Sequence, residues 1–330
     1  MKISVIITAF NLEQYIKEAI QSVLNQKFDL SHVEIIVVDD CSTDNTPAII
    51  KSFGNSLKYI RLSANKGVLL ATIEGINAST GDILCFLDGD DVWKENKLAL
   101  VTAYFEKINN LSFLSHNYEY IDDRGMPFKK KDSSQKQLLM MTNGEEISDY
   151  MRQGILEYQG VVWLGSAYSI RRNSIKWENY FEYVNKLPDP KMTYQDWLIA
   201  FWIATDSKAY FGYCPETLMS YRVHDRNYSG DASTIEKMMR NLRKSLNTRV
   251  ATYDIVKIKR FPLTNEKIIE TKIKENEYLI ALYQYKILSA VKLFPRCAYY
   301  IWPVKTILKE AMRLLGVAFL GPKLFLRLTK

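Results

Sequence analysis

Ile83-Leu84-Cys85-Phe86-Leu87-Asp88-Gly89-Asp90-Asp91 is the stretch on which the fold turns. Five consecutive apolar residues that run into a polar turn read as a strand buried on both faces. The three carboxylates that follow repel one another. A hard divalent cation relieves that repulsion, since Mg²⁺ and Mn²⁺ favour sites with few carboxylates completed by phosphate oxygens. In isolation Asp88-Gly89-Asp90-Asp91 reads first as a solvated acidic turn. Its neighbours end the isolation.

Working outward, strands alternate with helices through the first third of the chain. Strands are expected over 3–9, 33–38, 57–62 and 83–87, and helices over 42–53, 68–77 and 96–108. Asn11 reads as the cap of a first helix, with Gln14 as its capping partner. Tyr15, Ile16, Ala19, Ile20, Val23 and Leu24 share one face of that helix. Such alternation predicts a parallel α/β sheet with helices on both faces, and ligands of these sheets bind beyond the carboxyl ends of the strands. Polar residues gather at those ends: Thr8-Ala9-Phe10-Asn11, Asp39-Asp40-Cys41-Ser42 and Asp88-Gly89-Asp90-Asp91.

Further on, 111–121 reads as a strand, 129–137 as a charged loop, 143–153 as an amphipathic helix and 161–170 as a strand. A helix over 197–204 continues from Asp196, and 208–223 reads as strand, turn, strand. From Ser233 the chain reads as helices over 233–258, 264–294 and 299–315.

Composition sets outer bounds. The 330 residues are 47% hydrophobic and 25% charged, ordinary for one large or two smaller globular domains. Met1-Lys2 runs straight into a strand, so no secretory signal is expected, and no apolar run is long enough to predict a membrane span. The four cysteines stand far apart without a C-x-x-C, which argues against a zinc knuckle or a disulfide framework and fits a cytoplasmic protein. Residues 286–330 hold nine Lys/Arg against one acid, Glu310, a net of +8 when the whole chain carries +7. The basic character therefore belongs to the tail. No nucleic-acid-binding module accompanies it.

The succession Ser4-Val5-Ile6-Ile7-Thr8-Ala9-Phe10-Asn11, Ile36-Val37-Val38-Asp39-Asp40-Cys41-Ser42-Thr43-Asp44 and Phe86-Leu87-Asp88-Gly89-Asp90-Asp91-Val92-Trp93 resembles the family 2 glycosyltransferases. These are inverting, nucleotide-sugar-dependent enzymes of the GT-A fold. The resemblance is close over residues 1–110. It runs more loosely to residue 230 through Gln195-Asp196-Trp197 and Tyr221-Arg222-Val223-His224-Asp225-Arg226-Asn227-Tyr228-Ser229. It implies a GT-A, Rossmann-like, mostly parallel α/β sheet followed by a helical region. The nucleotide-sugar half would occupy 1–110, the acceptor half 111–230, and the helical region with its basic amphipathic tail 231–330.

The resemblance also implies roles. Thr8, Ala9 and Phe10 would line the base and ribose, with Phe10 either stacking or packing. Asp40 would accept the imide N–H of uracil, although a turn-capping Asp is the plainer role. Asp39 is read as structural. Lys66 and Gly67 join the donor contacts. Asp90 would hold Mn²⁺ or Mg²⁺, with Asp88 on the ribose or the metal, His224 near the metal or diphosphate, and Asp91 in support. Arg222 either forks onto phosphate or anchors a loop. Trp93 is read as packing under the loop. Asp196 is the expected general base for the acceptor hydroxyl.

Two positions depart from the pattern: Thr72 stands where an Arg is common, and Gln195 replaces an acid. The Gln-x-x-Arg-Trp signature of processive synthases is absent, so one sugar per encounter is expected.

In the tail, Tyr300, Ile301, Val304, Ile307, Leu308, Ala311, Met312 and Leu315 are placed on one helical face, with Lys305, Lys309 and Arg313 opposite. This predicts contact with an anionic membrane surface at the inner face of the cell membrane, near a glycan or polyprenyl-diphosphate-linked acceptor. Packing on the catalytic domain or in a homo-oligomer is the alternative use of these helices. Two rival functions are a sugar-nucleotidyltransferase, which would need a Gly-rich basic loop after the first strand, and a non-catalytic scaffold subunit.

Overall fold

The computed structural model describes residues 1–129, 144–158, 165–225, 227, 234–261, 263–300 and 304–328. Of the segments read from sequence, 130–137, 161–164, Asn143, Arg226, Tyr228, Ser229 and Ile301 lie outside the described residues. The chain divides into two compact units, Met1–His224 and Asp225–Lys330.

The first unit opens with β1 (Ile3–Ala9), α1 (Ile16–Leu24), β2 (Val33–Asp39), α2 (Thr46–Lys51), β3 (Lys58–Arg61), α3 (Val68–Asn77) and β4 (Ile83–Asp88). Every residue of β1 is buried, as are the first five of β4. That is what a strand covered on both faces requires. Strands β3, β2, β1 and β4 pair in parallel in that order. The register sets Thr8 opposite both Val38 and Asp88, and Ala9 opposite Asp39, so three strands end at one level.

The unit continues with β5 (Val92–Trp93), α4 (Lys97–Lys107), β6 (Leu111–Ile121), β7 (Pro127–Phe128), α5 (Gly144–Leu156), β8 (Tyr168–Arg171), α6 (Trp177–Asn185), α7 (Gln195–Ala204) and β9 (Tyr210–Arg222). These strands extend the same sheet in the order β4-β8-β6-β9-β5. β8 runs antiparallel to both β4 and β6, and β9 returns parallel to β6. The sheet thus holds two parallel blocks joined through one reversed strand, and the segments on either side of residue 110 share it.

Several boundaries differ from the sequence reading: α2 covers Thr46–Lys51 rather than 42–53, β8 begins at Tyr168 within the described part of the strand expected over 161–170, and three further differences have identifiable reasons. Asn11 does not cap α1: its backbone is left-handed (φ 54°) and its side chain accepts the Thr43 N–H at 2.8 Å. Residues 208–223 hold one long strand rather than two, because the register shift between His116↔Cys214 and Asn117↔Thr217 absorbs Pro215 and Glu216 as a bulge. The third difference lies in the second unit.

That unit consists of α8 (Ile235–Ile258), α9 (Leu263–Tyr283), α10 (Ile287–Tyr300) and α11 (Val304–Leu328). Thr234 caps α8 by accepting the Lys237 N–H at 3.2 Å. The helix expected over 264–294 is broken where Tyr285 turns left-handed (φ 60°), with neither Gly nor Pro there to announce it. Tyr278, Leu282, Ala290, Cys297 and Val317 form this unit's core. The tail face is also divided differently. Ile307 packs on that core, whereas Leu308, Met312 and Leu315 are exposed on the side that carries Lys305 and Lys309. Among the described residues no helix is long and apolar enough to cross a membrane.

The first unit's sheet is locked where Phe113 of β6, fully buried, meets the rings of Tyr168 and Phe211 at centroid distances of 5.2 and 5.3 Å. Phe113→Ala is expected to cost ~3–5 kcal/mol by opening a cavity among these rings. The urea-unfolding midpoint should fall accordingly, while a change under ~1 kcal/mol would show that the layer collapses around the gap.

Candidate active site

The site is built where β1, β2 and β4 end together. Two of their loops are cross-stitched: Ser42 Oγ accepts the Asn11 N–H (2.9 Å), Thr46 Oγ1 accepts the Leu12 N–H (2.8 Å), and Glu13 Oε2 accepts the Asn45 N–H (3.0 Å). Small hydroxylic and Asx side chains are what such loop-to-loop bonding needs.

Asp39 and Asp40 share the end of β2 but face different partners. Asp39 is fully buried and accepts the Ser42 N–H (2.8 Å) and the Tyr59 hydroxyl (3.0 Å), which makes it a structural post. Asp40 accepts two backbone amides, Lys66 N–H at 2.6 Å and Gly67 N–H at 2.7 Å. Burial raises its pKa more than those two bonds lower it. Gly67 is left-handed (φ 88°), and a Cβ there would lie 2.8 Å from Lys191 Cα. Only glycine gives both the turn and the close approach. Lys66 and Gly67 therefore meet Asp40 through their backbone. Thr8 donates to Asp88 Oδ1 at 3.3 Å, Ala9 is buried, and Phe10 is 42% exposed rather than packed in the core.

The acidic turn is held by residues far off in sequence. Ser166 Oγ accepts the Asp88 N–H (2.8 Å) and donates to Asp91 Oδ2 (2.6 Å). Asp91 Oδ1 accepts the Arg222 N–H (2.9 Å). Asp91 is buried, and burial first, then Asp90 and Asp88, push its carboxyl well above the usual range. Asp90 Oδ2 lies 3.0 Å from His224 Nε2, and the His224 ring lies 4.6 Å from that of Tyr15.

Arg222 is directed into the protein. Its side chain is 2% exposed. Nε donates to Asp90 O (2.9 Å), Nη1 to the carbonyls of Asp122 and Asp123 (3.3 and 3.4 Å), and Nη2 reaches Glu18 (2.5 Å). The guanidinium also lies over the Tyr15 ring. These bonds tie the Asp90 turn to the Asp122–Asp123 carbonyls and to Glu18 of α1, a loop-anchoring rather than a phosphate-facing geometry. Trp93 is buried under the turn, in keeping with a packing role.

Asp196 stands in the first turn of α7, half-buried, and its Oδ1 accepts the Trp197 N–H at 2.8 Å. Two observations bring it toward the acidic turn. Burial first, then Asp196, Tyr180 and Asp88 in that order, push the pKa of the fully buried Tyr168 hydroxyl well above its usual value, so both carboxylates act on one phenol. A Cβ on Gly165 would lie 2.7 Å from Asp88 Oδ2 and 3.2 Å from Gln195 Nε2, so glycine leaves room for Asp88 beside Gln195. Gln195 also hydrogen-bonds Thr72 of α3. The two positions that depart from the family pattern are therefore partners.

Sequence reading missed Gly165, Ser166, Tyr168 and Lys97. The first three offered no signal, since an uncharged segment reaches the turn only through the sheet. Lys97 did offer one, as a lysine opening the apolar run Leu98-Ala99-Leu100-Val101. It is fully buried, its Nζ donates to Ser166 O at 2.6 Å, and it lies 3.9 Å from the Trp93 ring centroid.

Among the described residues no three His, Cys, Asp or Glu side chains form a ready-made metal cage. Asp90 and Asp88 still suit a hard cation that takes few carboxylates and completes its shell with phosphate and water. His224, bonded to Asp90 itself, suits the part of orienting that carboxylate.

With this geometry in view, the comparisons place the chain. It belongs to glycosyl transferase family 2, whose model matches residues 4–173. A curated relative, UDP-Glc:alpha-D-GlcNAc-diphosphoundecaprenol beta-1,3-glucosyltransferase WfgD of Escherichia coli, is 34% identical over 125 residues, covering 38% of this chain and 48% of that protein. The chain spans about a third to a half of the length of the curated relatives it matches. Among solved structures, Staphylococcus aureus TarS 1-349 in complex with UDP-GlcNAc matches with a TM-score of 0.60 at 19% identity, over 99% of this chain and 90% of that one. Mannosyltransferase PcManGT from Pyrobaculum calidifontis, in complex with GDP-Man and Mn²⁺, matches with a TM-score of 0.52 at 14% identity, over 99% and 85%. These likenesses establish the GT-A fold.

Lys97 gives a pH test. Burial pulls its pKa from 10.5 down to about 7, against smaller opposing effects of Cys85 and Asp91. Between those values the unfolded chain binds a proton that the native chain does not, so this group makes stability rise with pH. Its contribution should approach ~1.4 kcal/mol per pH unit. Lys97→Met should flatten the rise in urea-unfolding free energy between pH 7 and 9. An unchanged slope would show that the lysine keeps its charge inside the fold.

Proposed function

We propose that this chain is a metal-dependent inverting glycosyltransferase that moves one sugar from a UDP-sugar to a glycan borne on a polyprenyl diphosphate, in the assembly of a surface polysaccharide. The observation that carries the reading is the gathering of Asp40, Asp88, Asp90 and the Asp196 helix start around the ends of β1, β2 and β4. Support for the donor comes from the UDP-GlcNAc bound to the TarS structure. Support for the acceptor comes from WfgD, whose name gives a diphosphoundecaprenol-linked sugar. The Mn²⁺ complex of PcManGT supports the cation.

Each residue then has a task. Asp40 takes the imide N–H of uracil on a lone pair that its two amide bonds leave unused. Phe10 covers the base, and Thr8 and Ala9 form the floor beside it. Asp88 binds the ribose side and Asp90 the cation, with His224 aligning Asp90. A bound Mn²⁺ or Mg²⁺ supplies charge neutralisation to the diphosphate. Asp196 removes the proton of the acceptor hydroxyl while that oxygen attacks the anomeric carbon from the face opposite the diphosphate. The bond from the anomeric carbon to the diphosphate oxygen breaks with its electrons on that oxygen, and the configuration inverts. An acceptor on a lipid carrier puts the workplace at the inner face of the cell membrane.

Replacing Asp196 by Asn removes the base and keeps the shape. Sugar transfer, followed as UDP release with a polyprenyl-diphosphate acceptor, should fall by ~10²–10⁴ while UDP binding by calorimetry is unchanged. Transfer at the wild-type rate in the Asn variant would remove Asp196 from the mechanism.

A further inference from the structure

Helix α11 is apolar on two sides, and among the described residues one of them is covered and the other is not. Inward, Val317 is buried in the second unit's core, and Ile307, Leu314, Phe325 and Leu326 pack against it. Outward, Leu308, Met312, Leu315 and Phe319 are 61, 67, 58 and 84% exposed. Their spacing of four, three and four residues makes one continuous stripe. Covering such side chains recovers a large hydrophobic term each, so a row of four left in water marks an interaction surface.

The charges beside the stripe name its partner. Lys305 and Lys309 are exposed along its rim, and Lys323 is exposed beyond the kink at Gly321 and Pro322. The only acid of the segment, Glu310, points away: it is buried and paired with Arg313 at 2.9 Å. We propose that this face of α11 lies in the plane of an anionic lipid surface, with the four apolar side chains below the headgroups and the lysines among the phosphates. A second copy of the chain suits the stripe less well. A two-fold contact lays the same surface on itself, which brings lysine rim onto lysine rim with no outward acid of the helix to answer it. A lipid surface supplies apolar depth and negative charge together.

The proposal gives the proposed transferase a means of meeting a lipid-borne acceptor. It does not depend on that reading, because the stripe lies wholly within the second unit and its binding is read without catalysis. The 330-residue chain is pelleted with sucrose-loaded vesicles of phosphatidylcholine alone or with added phosphatidylglycerol, at low and high salt. The wild type should pellet with the anionic vesicles and be released by salt. Lys305→Gln with Lys309→Gln should weaken binding by about fivefold for each charge removed. Phe319→Ser and Leu315→Ser, both at exposed positions, should abolish pelleting with unchanged circular dichroism and thermal midpoint. Equal pelleting of wild type and the Phe319/Leu315 variant, or no preference for anionic vesicles, overturns the proposal. So does sedimentation equilibrium that shows a wild-type dimer split by those substitutions without any vesicle binding. Vesicle binding by a chain that transfers no sugar would leave this inference standing and remove the reading of the site.

Discussion

Three carboxylates in four residues, at the end of a strand buried on both faces, are the constraint around which the first unit is arranged. Left to themselves Asp88, Asp90 and Asp91 would open the turn by repulsion. The structure treats them unequally. Asp91 is taken out of water and given the Ser166 hydroxyl and the Arg222 amide. Asp90 is steadied through its carbonyl by Arg222 and through its carboxylate by His224. Asp88 lies against Thr8 and the bare face of Gly165. Two acids are thereby left at the surface of the cleft, with the third beneath them as a support. That is a sound basis for a cation that demands few protein oxygens and shares the rest with phosphate.

The same economy of charge runs through the departures from the family pattern. An arginine missing at position 72 and an acid missing at 195 look like two separate losses in a linear sequence. In the fold the two side chains meet in a neutral hydrogen bond. Removing both charges leaves the net charge of the cleft unaltered. It also spares Asp88 a further carboxylate next to Gly165. Arg222 does not stand in for the arginine absent at position 72, because it is buried among its own partners beside the acidic turn.

Much of this was legible in sequence wherever one strand or helix carries the signal on its own. β1 and α3 fall on their expected residues, and β2 and β4 each run one residue longer. Their buried runs and polar ends carry the family likeness and set the acids that follow β2 and β4 beside the end of β1. What stayed hidden depends on tertiary contact. Ser166 and Tyr168 matter only because β8 enters the sheet reversed beside β4. Asn11 had the composition of a helix cap but was claimed by the neighbouring loop. Tyr285 breaks a helix without a glycine. The tail was periodic enough to show a helix, yet periodicity alone could not tell which of two apolar sides faces the core.

Whether the acids act together on one cation can be asked directly. Mn²⁺ is titrated calorimetrically into the full chain with and without saturating UDP, for the wild type and for Asp90→Asn. The account predicts that UDP tightens Mn²⁺ binding in the wild type, and that Mn²⁺ reciprocally tightens UDP binding. In Asp90→Asn this coupling should vanish while the metal-free affinity for UDP persists. UDP binding that ignores Mn²⁺ in the wild type, or coupling undiminished in the Asn variant, would contradict it.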